Sequence, residues 1–274
     1  MRGGCGRYRA RPASDCIEVA AEGQKFARRR VMWHPPRAPR APTITDVQDH
    51  PTNFRDLTLD EFVSRLASAA PTPGGGSASA VAASFAAGLV AMVASLSQDR
   101  PRYAMHAAAH AHAKAAGTEL ADRLLRLADE DAAAYGTFAA AMKLPRETEA
   151  QVATRAAAIR AAARVAAEVP LRCVEACLEV ATAAELLAAR CNVNASSDIH
   201  VAALLAEAAA RGAAANVRVN LPAVGDPDWA AVADARVADL LDRIAGLCGT
   251  AHDVIASGEM REPIMPAPPV VPVG

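Results

Sequence analysis

The chain has 274 residues and a formal net charge of −1, and its 52% hydrophobic content includes only 4% aromatic residues. Alanine fills the gap at about a quarter of all residues, which favours closely packed helices and argues against a β-sandwich or barrel. The high apolar fraction and the small net charge also exclude intrinsic disorder for most of the chain.

The first part of the chain differs from the rest in charge. Residues 1–55 carry 11 Lys and Arg against 5 Asp and Glu and have no apolar periodicity. We interpret them as a disordered, basic leader rich in proline and arginine, with a nucleic-acid or targeting arm as the alternative. The remainder is acidic and would repel a phosphate backbone, so we expect no nucleic-acid partner. The sparse cysteines and the lack of a secretory signal pattern predict a cytoplasmic protein.

Helical periodicity and capping signals run through a predicted domain over residues 56–260. A short helix over 57–69 has a capping box of Thr58 and Glu61, and Ser77 is the expected cap of a helix ending near residue 97. Further helices are predicted over 101–142, 147–168, 171–190, 198–216 and 227–257, with a kink or restart at Pro170. Residues 217–224 are ambiguous and could form an extended strap, and 261–274 form a Pro-rich tail. These elements predict an all-α, Ala-rich bundle of long helices.

The second helix raises the question of a membrane. Residues 66–98 contain no charged side chain, but most of them are small. We expect a buried central helix and no membrane partner, with a transmembrane span as the alternative. Faces made mostly of alanine leave flat apolar surface, which predicts a symmetric homodimer of long helices.

Three consecutive glycines stand before Ser77 at the predicted start of this helix, at positions 74, 75 and 76. Glycine allows a ligand to approach the backbone closely, and a helix N-terminus offers free N–H groups. The run is not a Walker loop, because no Lys-Ser/Thr follows it. Tight helix packing is the alternative interpretation.

A second polar segment extends from residue 191 to residue 198. The amides of Asn192 and Asn194 can both donate and accept, as reading a polar ring edge requires. Asp198 at a helix start would stay ionised. Local capping by Ser196 or Ser197 is the simpler alternative, although it does not explain two asparagines.

Asp131 lies within the apolar stripe of its predicted helix. A buried carboxyl would have a raised pKa and could carry a proton near neutral pH. A structural ion pair with Arg155 is the alternative. We expect His106, His110 and His112 on the helix surface, and no metal site.

Three motifs occur in order: the run from Pro71 to Ser77, then Asn192-x-Asn194-Ala-x-Ser197-Asp198, then Asn216-Val217-x-Val219-Asn220. Together they resemble the formiminotransferase-cyclodeaminase C-terminal family, which includes folate cyclodeaminases and methenyltetrahydrofolate cyclohydrolases. The resemblance covers about residues 57–258, and it departs from the family at residues 100–103, where a Lys-rich stretch is more common.

This resemblance implies a 5-formimidoyltetrahydrofolate cyclodeaminase that releases 5,10-methenyltetrahydrofolate and ammonia without a metal or redox cofactor. A 5,10-methenyltetrahydrofolate cyclohydrolase and a non-enzymatic folate-binding or helical interaction protein are the alternatives. Asp131 is the expected proton donor, and Asp198 would pair with donors of the pterin. The expected substrate-binding residues are Gly74, Gly75, Gly76, Ser77, Asn192, Asn194, Ser197, Asn216 and Asn220.

Overall fold

The structure is a computed structural model and describes residues 53–263. Most of the predicted leader and of the predicted tail lies outside these residues. Six α-helices and no strand occur within the described range, which confirms the all-α prediction. They are α1 (Leu59–Leu66), α2 (Gly75–Ser97), α3 (Ala107–Met142), α4 (Glu149–Leu187), α5 (Ser196–Val224) and α6 (Pro227–Ser257).

Helix α2 packs against α3, α4 and α5, but its large apolar side chains Phe85, Met92 and Leu96 are exposed, so the expectation of a buried central helix holds only in part. Its buried side chains are small, and their burial lets the helix axes approach closely. At Gly117 of α3 an added Cβ would lie 2.7 Å from the carbonyl oxygen of Ala87, so this crossing requires glycine. Among the described helices, α2 alone is long and apolar enough to cross a membrane, a property that buried core helices share.

The predicted helix ends are partly confirmed. Thr58 and Glu61 form the expected capping box at α1, and Asp226 caps α6 by accepting from the backbone N–H of Trp229. The prediction that Ser77 caps α2 is wrong, because Gly74 occupies the cap position. Ser77 lies inside the first turn, and its buried hydroxyl contacts α3 instead.

Two long helices continue where the sequence predicted a kink or restart, at Pro170, or left the element ambiguous, over residues 217–224. Helix α4 runs through Pro170 without a restart, and the carbonyl oxygen of Ala166 that proline leaves without its helical donor accepts from Asn220 instead. Residues 217–224 belong to α5, which ends at Gly225 in the left-handed conformation. Their apolar side chains are consistent with a helix as well as a strap, and packing decides between the two.

The expectation that His106, His110 and His112 lie on the helix surface is wrong for the first two. A 3₁₀ turn over Pro101–His106 precedes α3, and it turns His106 and His110 into the bundle. His110 Nε2 lies 2.8 Å from the carbonyl oxygen of Arg190, and burial lowers the pKa of His106. His112 remains exposed. Within residues 53–263 no group of three or more His, Cys, Asp or Glu side chains is placed to hold a metal ion.

Candidate active site

A cavity of about 410 Å³ opens at the N-terminal end of α2. It lies between the glycine run, the last third of α3, the middle of α4 and the last third of α5. The side chains and backbone that line it come from Pro71, Thr72, Gly74, Gly75, Gly76, Asp131, Tyr135, Phe138, Ala166, Asn216, Val219, Asn220 and Ala223. The first and third sequence motifs therefore meet at one place, although about 140 residues separate them in the chain.

Asp131 presents a half-buried carboxyl to this cavity. The hydroxyl of Ser77 lies 2.9 Å from Asp131 Oδ2 and 3.0 Å from the carbonyl oxygen of Ala128. Burial raises the pKa of Asp131, and hydrogen bonds from the side chain and backbone of Ser77 partly oppose this rise.

The geometry around Ser77 accommodates both the ionised and the protonated form of Asp131. A hydroxyl carries one proton, so Ser77 donates fully to only one of its two acceptors at a time. When Asp131 is neutral, its own O–H can donate to Ser77 Oγ while Ser77 donates to Ala128. When Asp131 is ionised, the Ser77 hydroxyl can donate to Asp131 Oδ2 instead, so the same contacts are compatible with either form of the carboxyl.

The alternative interpretation of Asp131, an ion pair with Arg155, is not supported by the structure. The guanidinium of Arg155 donates to the carbonyl oxygen of Met142, at 3.0 Å from Nη2, and it holds the end of α3. No ion pair involves Asp131 within the described part of the chain. Desolvation of this carboxyl is therefore not offset by a neighbouring cation.

Polar side chains approach two glycines closely, and the approach requires glycine at Gly76. A Cβ added at Gly76 would lie 2.5 Å from Cγ of Asp131, far inside van der Waals contact. A Cβ added at Gly75 would lie 3.3 Å from Nδ2 of Asn216. The lack of side chains in the glycine run thus lets the Asp131 carboxyl and the Asn216 amide pack against the start of α2. This role is more specific than the close approach of a ligand that the sequence predicts.

Asn216 and Asn220 lie one turn apart on α5, and each is anchored through its amide nitrogen. Asn216 Nδ2 donates to the carbonyl oxygen of Gly212 at 2.9 Å. Asn220 Nδ2 donates to Ala166 at 3.0 Å and to the carbonyl oxygen of Asn216 at 2.8 Å. Their side-chain oxygens accept no hydrogen bond from the described residues, and both residues line the cavity.

The second motif lies at the opposite end of the bundle. The backbone N–H of Asn192 donates to Ser97 Oγ, in the last turn of α2 and about 32 Å along that helix from Gly76. Asp198 lies in the first turn of α5, about 27 Å along it from Asn216. Within one chain, Asn192, Asn194, Ser197 and Asp198 therefore do not share the cavity of Asp131.

The residues of this second motif have local contacts of their own. Asn192 Oδ1 accepts from the backbone N–H of Asn194 and caps the 3₁₀ turn over Val193–Ala195. The N–H of Val193 donates to the hydroxyl of Tyr103 at 3.0 Å. The capping interpretation thus accounts for Asn192, with the cap made by Asn192 itself rather than by Ser196 or Ser197.

Two aromatic residues of the cavity were not singled out as site residues. Tyr135 lies one turn after Asp131 on α3, and Phe138 follows three residues later. Their spacing from Asp131 was the available signal, because positions four and seven residues further on share its helix face. In a chain with only 3 Tyr and 5 Phe, two aromatic rings on that face are notable.

Comparison with solved structures places this fold among folate one-carbon enzymes. The structure of formiminotetrahydrofolate cyclodeaminase from Thermotoga maritima matches with a TM-score of 0.67 and 26% identity, over 74% of this chain and 98% of that one. The family model described as Formiminotransferase-cyclodeaminase matches residues 58–239. The chain belongs to this family.

Curated relatives carry two different activity names. A methenyltetrahydrofolate cyclohydrolase of Methylorubrum extorquens is 38% identical over 173 residues, which cover 63% of this chain and 83% of the relative. A formimidoyltransferase-cyclodeaminase of Sus scrofa is 33% identical over 67% of this chain. This match spans only 34% of the pig protein. The family resemblance from the three motifs is confirmed, whereas the specific cyclodeaminase reaction is not.

Proposed function

We propose that this protein acts on the one-carbon bridge between N5 and N10 of tetrahydrofolate, as a 5,10-methenyltetrahydrofolate cyclohydrolase. The observation that carries the proposal is the cavity in which a carboxyl of raised pKa lies beside the glycine run and two anchored asparagines. The choice of cyclohydrolase is supported by the relative from Methylorubrum extorquens, whose length is mostly covered.

In the proposed reaction Asp131 first acts as a base. A water molecule adds to the methenyl carbon, and its proton passes to the Asp131 carboxylate as the C–O bond forms. The protonated carboxyl then donates to N5 as the C–N5 bond breaks, and the remaining hydroxyl proton leaves to give the 10-formyl product. A raised pKa suits a group that must both accept and return a proton near neutral pH.

The cavity fits the ring portion of such a substrate in size and chemistry. Its volume of about 410 Å³ lies within the range of small-molecule sites. Tyr135 and Phe138 offer aromatic surface on which the planar pyrimidine part of the reduced pteridine can stack. Asn216 and Asn220 offer acceptors for the ring N–H and amino groups. The proposed chemistry consists of proton transfers and needs no redox step.

The cyclodeaminase reaction is the second candidate, and the match to the Thermotoga maritima structure favours it. There N10 would attack the formimidoyl carbon, and Asp131 would protonate the departing ammonia. Both reactions pass through a tetrahedral carbon between the same two nitrogens, so one cavity can host either of them.

The test is to incubate the purified full-length chain with each folate and to follow the absorbance of the methenyl group. A cyclohydrolase removes this absorbance from 5,10-methenyltetrahydrofolate, and a cyclodeaminase generates it from 5-formimidoyltetrahydrofolate. Loss of absorbance from 5,10-methenyltetrahydrofolate, without a gain from 5-formimidoyltetrahydrofolate, supports the cyclohydrolase. A gain from 5-formimidoyltetrahydrofolate, without a loss from 5,10-methenyltetrahydrofolate, supports the cyclodeaminase. If neither rate exceeds that of a buffer control, the enzymatic proposal is wrong and the folate-binding alternative takes its place.

A further inference from the structure

The contact between Asn220 and Ala166 depends on a proline elsewhere in α4. In a regular helix the backbone N–H of residue 170 would donate to the carbonyl oxygen of Ala166. Pro170 has no N–H, so this bond cannot form. The amide of Asn220, from the neighbouring α5, donates to that carbonyl at 3.0 Å.

This contact fixes which way the Asn220 amide points. Its nitrogen faces two carbonyl oxygens, of Ala166 and of Asn216, and both of its N–H groups are used. The flipped amide would place Oδ1 against the same two oxygens and is excluded by repulsion. No described residue donates to Oδ1, so the free group of Asn220 is an acceptor only.

We propose that Pro170 is a positioning residue for substrate binding: it frees the carbonyl of Ala166 so that Asn220 is held as an acceptor for an N–H of the reduced pteridine ring. Both Ala166 and Asn220 line the cavity that holds Asp131. This inference rests on the proposed folate substrate.

The structural half of the proposal is tested by a melting-temperature cycle that needs no substrate. Asn220→Leu keeps the volume but removes both donors, and it leaves the Ala166 carbonyl without a partner. We expect Tm to fall by roughly 2–5 °C in the Pro170 background. In the Pro170→Ala background the new backbone N–H donates to the carbonyl oxygen of Ala166. Asn220→Leu should therefore lower Tm much less in that background. Pro222→Ala, which removes the proline of α5, is the matched control and should leave the Asn220→Leu loss unchanged.

The functional half is tested by calorimetric titration of the full chain with 5-formyltetrahydrofolate, and by steady-state kinetics. Pro170→Ala frees the Asn220 amide to rotate, so Kd and KM should rise by about 5- to 10-fold while kcat stays near the wild-type value. A purely structural proline would change Tm and leave Kd unchanged.

The two halves can fail separately. If Asn220→Leu lowers Tm equally in the Pro170 and Pro170→Ala backgrounds, the coupling between Pro170 and Asn220 is overturned. If the Kd of Pro170→Ala is unchanged, the positioning role of Pro170 is overturned. A wild-type chain that binds no reduced folate overturns the proposed function and the acceptor role with it, while the melting cycle still decides whether Pro170 and Asn220 are coupled.

Discussion

Replacing Gly76 with alanine tests how tightly the reacting carboxyl is held. The added Cβ would lie 2.5 Å from Cγ of Asp131, whereas carbon atoms in contact normally lie about 3.5–4 Å apart. The Asp131 side chain must therefore retreat by about 1 Å, which also stretches its hydrogen bond to Ser77. A displacement of this size at a catalytic group lowers turnover by about 10²-fold, or about 2.7 kcal/mol in the activation free energy.

The assay is the initial rate of methenyl absorbance change at saturating folate, with Tm measured on the same samples. Gly136→Ala is the matched control: it lies on α3, five residues after Asp131, and a Cβ there meets nothing within 4 Å. Its rate should stay within about twofold of the wild type. A wild-type kcat in Gly76→Ala, or an equal loss in Gly136→Ala, would refute the reasoning from close contact.

Three further predictions concern pH, the second motif and assembly. Because burial raises the folded-state pKa of Asp131, this carboxyl stabilises the fold below its unfolded pKa of about 4, and that stability is lost as pH rises through the folded pKa. The Tm of Asp131→Asn relative to the wild type should thus increase from about pH 4 to pH 8, and a pH-independent difference would argue against the raised pKa. Asp198→Asn should leave the Kd for folate within about twofold of the wild-type value, because Asp198 lies far from the cavity. A large loss of folate affinity would mean that a second chain brings Asp198 to the cavity. The predicted homodimer should use the exposed apolar stripe of α2, where Phe85 is 49% exposed beside Met92 and Leu96. Light scattering should therefore report a dimeric mass for the wild type and a monomeric mass for Phe85→Glu. A monomeric wild type would contradict this prediction.

Much of the fold follows from local signals in the sequence. Capping residues such as Thr58 and Asp226 act on neighbouring backbone groups, and the helix ends that they set are confirmed. The burial of Asp131 could also be predicted, because its apolar stripe repeats at the helical period. Its direct partner Ser77 could not, since 54 residues separate them and only the packing of α2 on α3 brings them together.

The grouping of motifs into one site could not be read from their order. The Asn192 loop and the Asn216 motif belong to opposite ends of α5, so a single long helix keeps them apart. The continuity of α4 at Pro170 is equally non-local, because the donor that replaces the lost helical bond comes from α5. Sequence patterns describe faces and ends of helices, whereas these contacts depend on which helices become neighbours.

The central claim is that Asp131 transfers the proton in folate one-carbon chemistry. The most direct measurement is the turnover and the folate affinity of Asp131→Asn, which keeps the shape of the side chain but cannot carry the proton. Turnover should fall by roughly 10²- to 10⁴-fold, while Kd for 5-formyltetrahydrofolate stays close to the wild-type value. An Asp131→Asn protein with wild-type turnover would contradict the account.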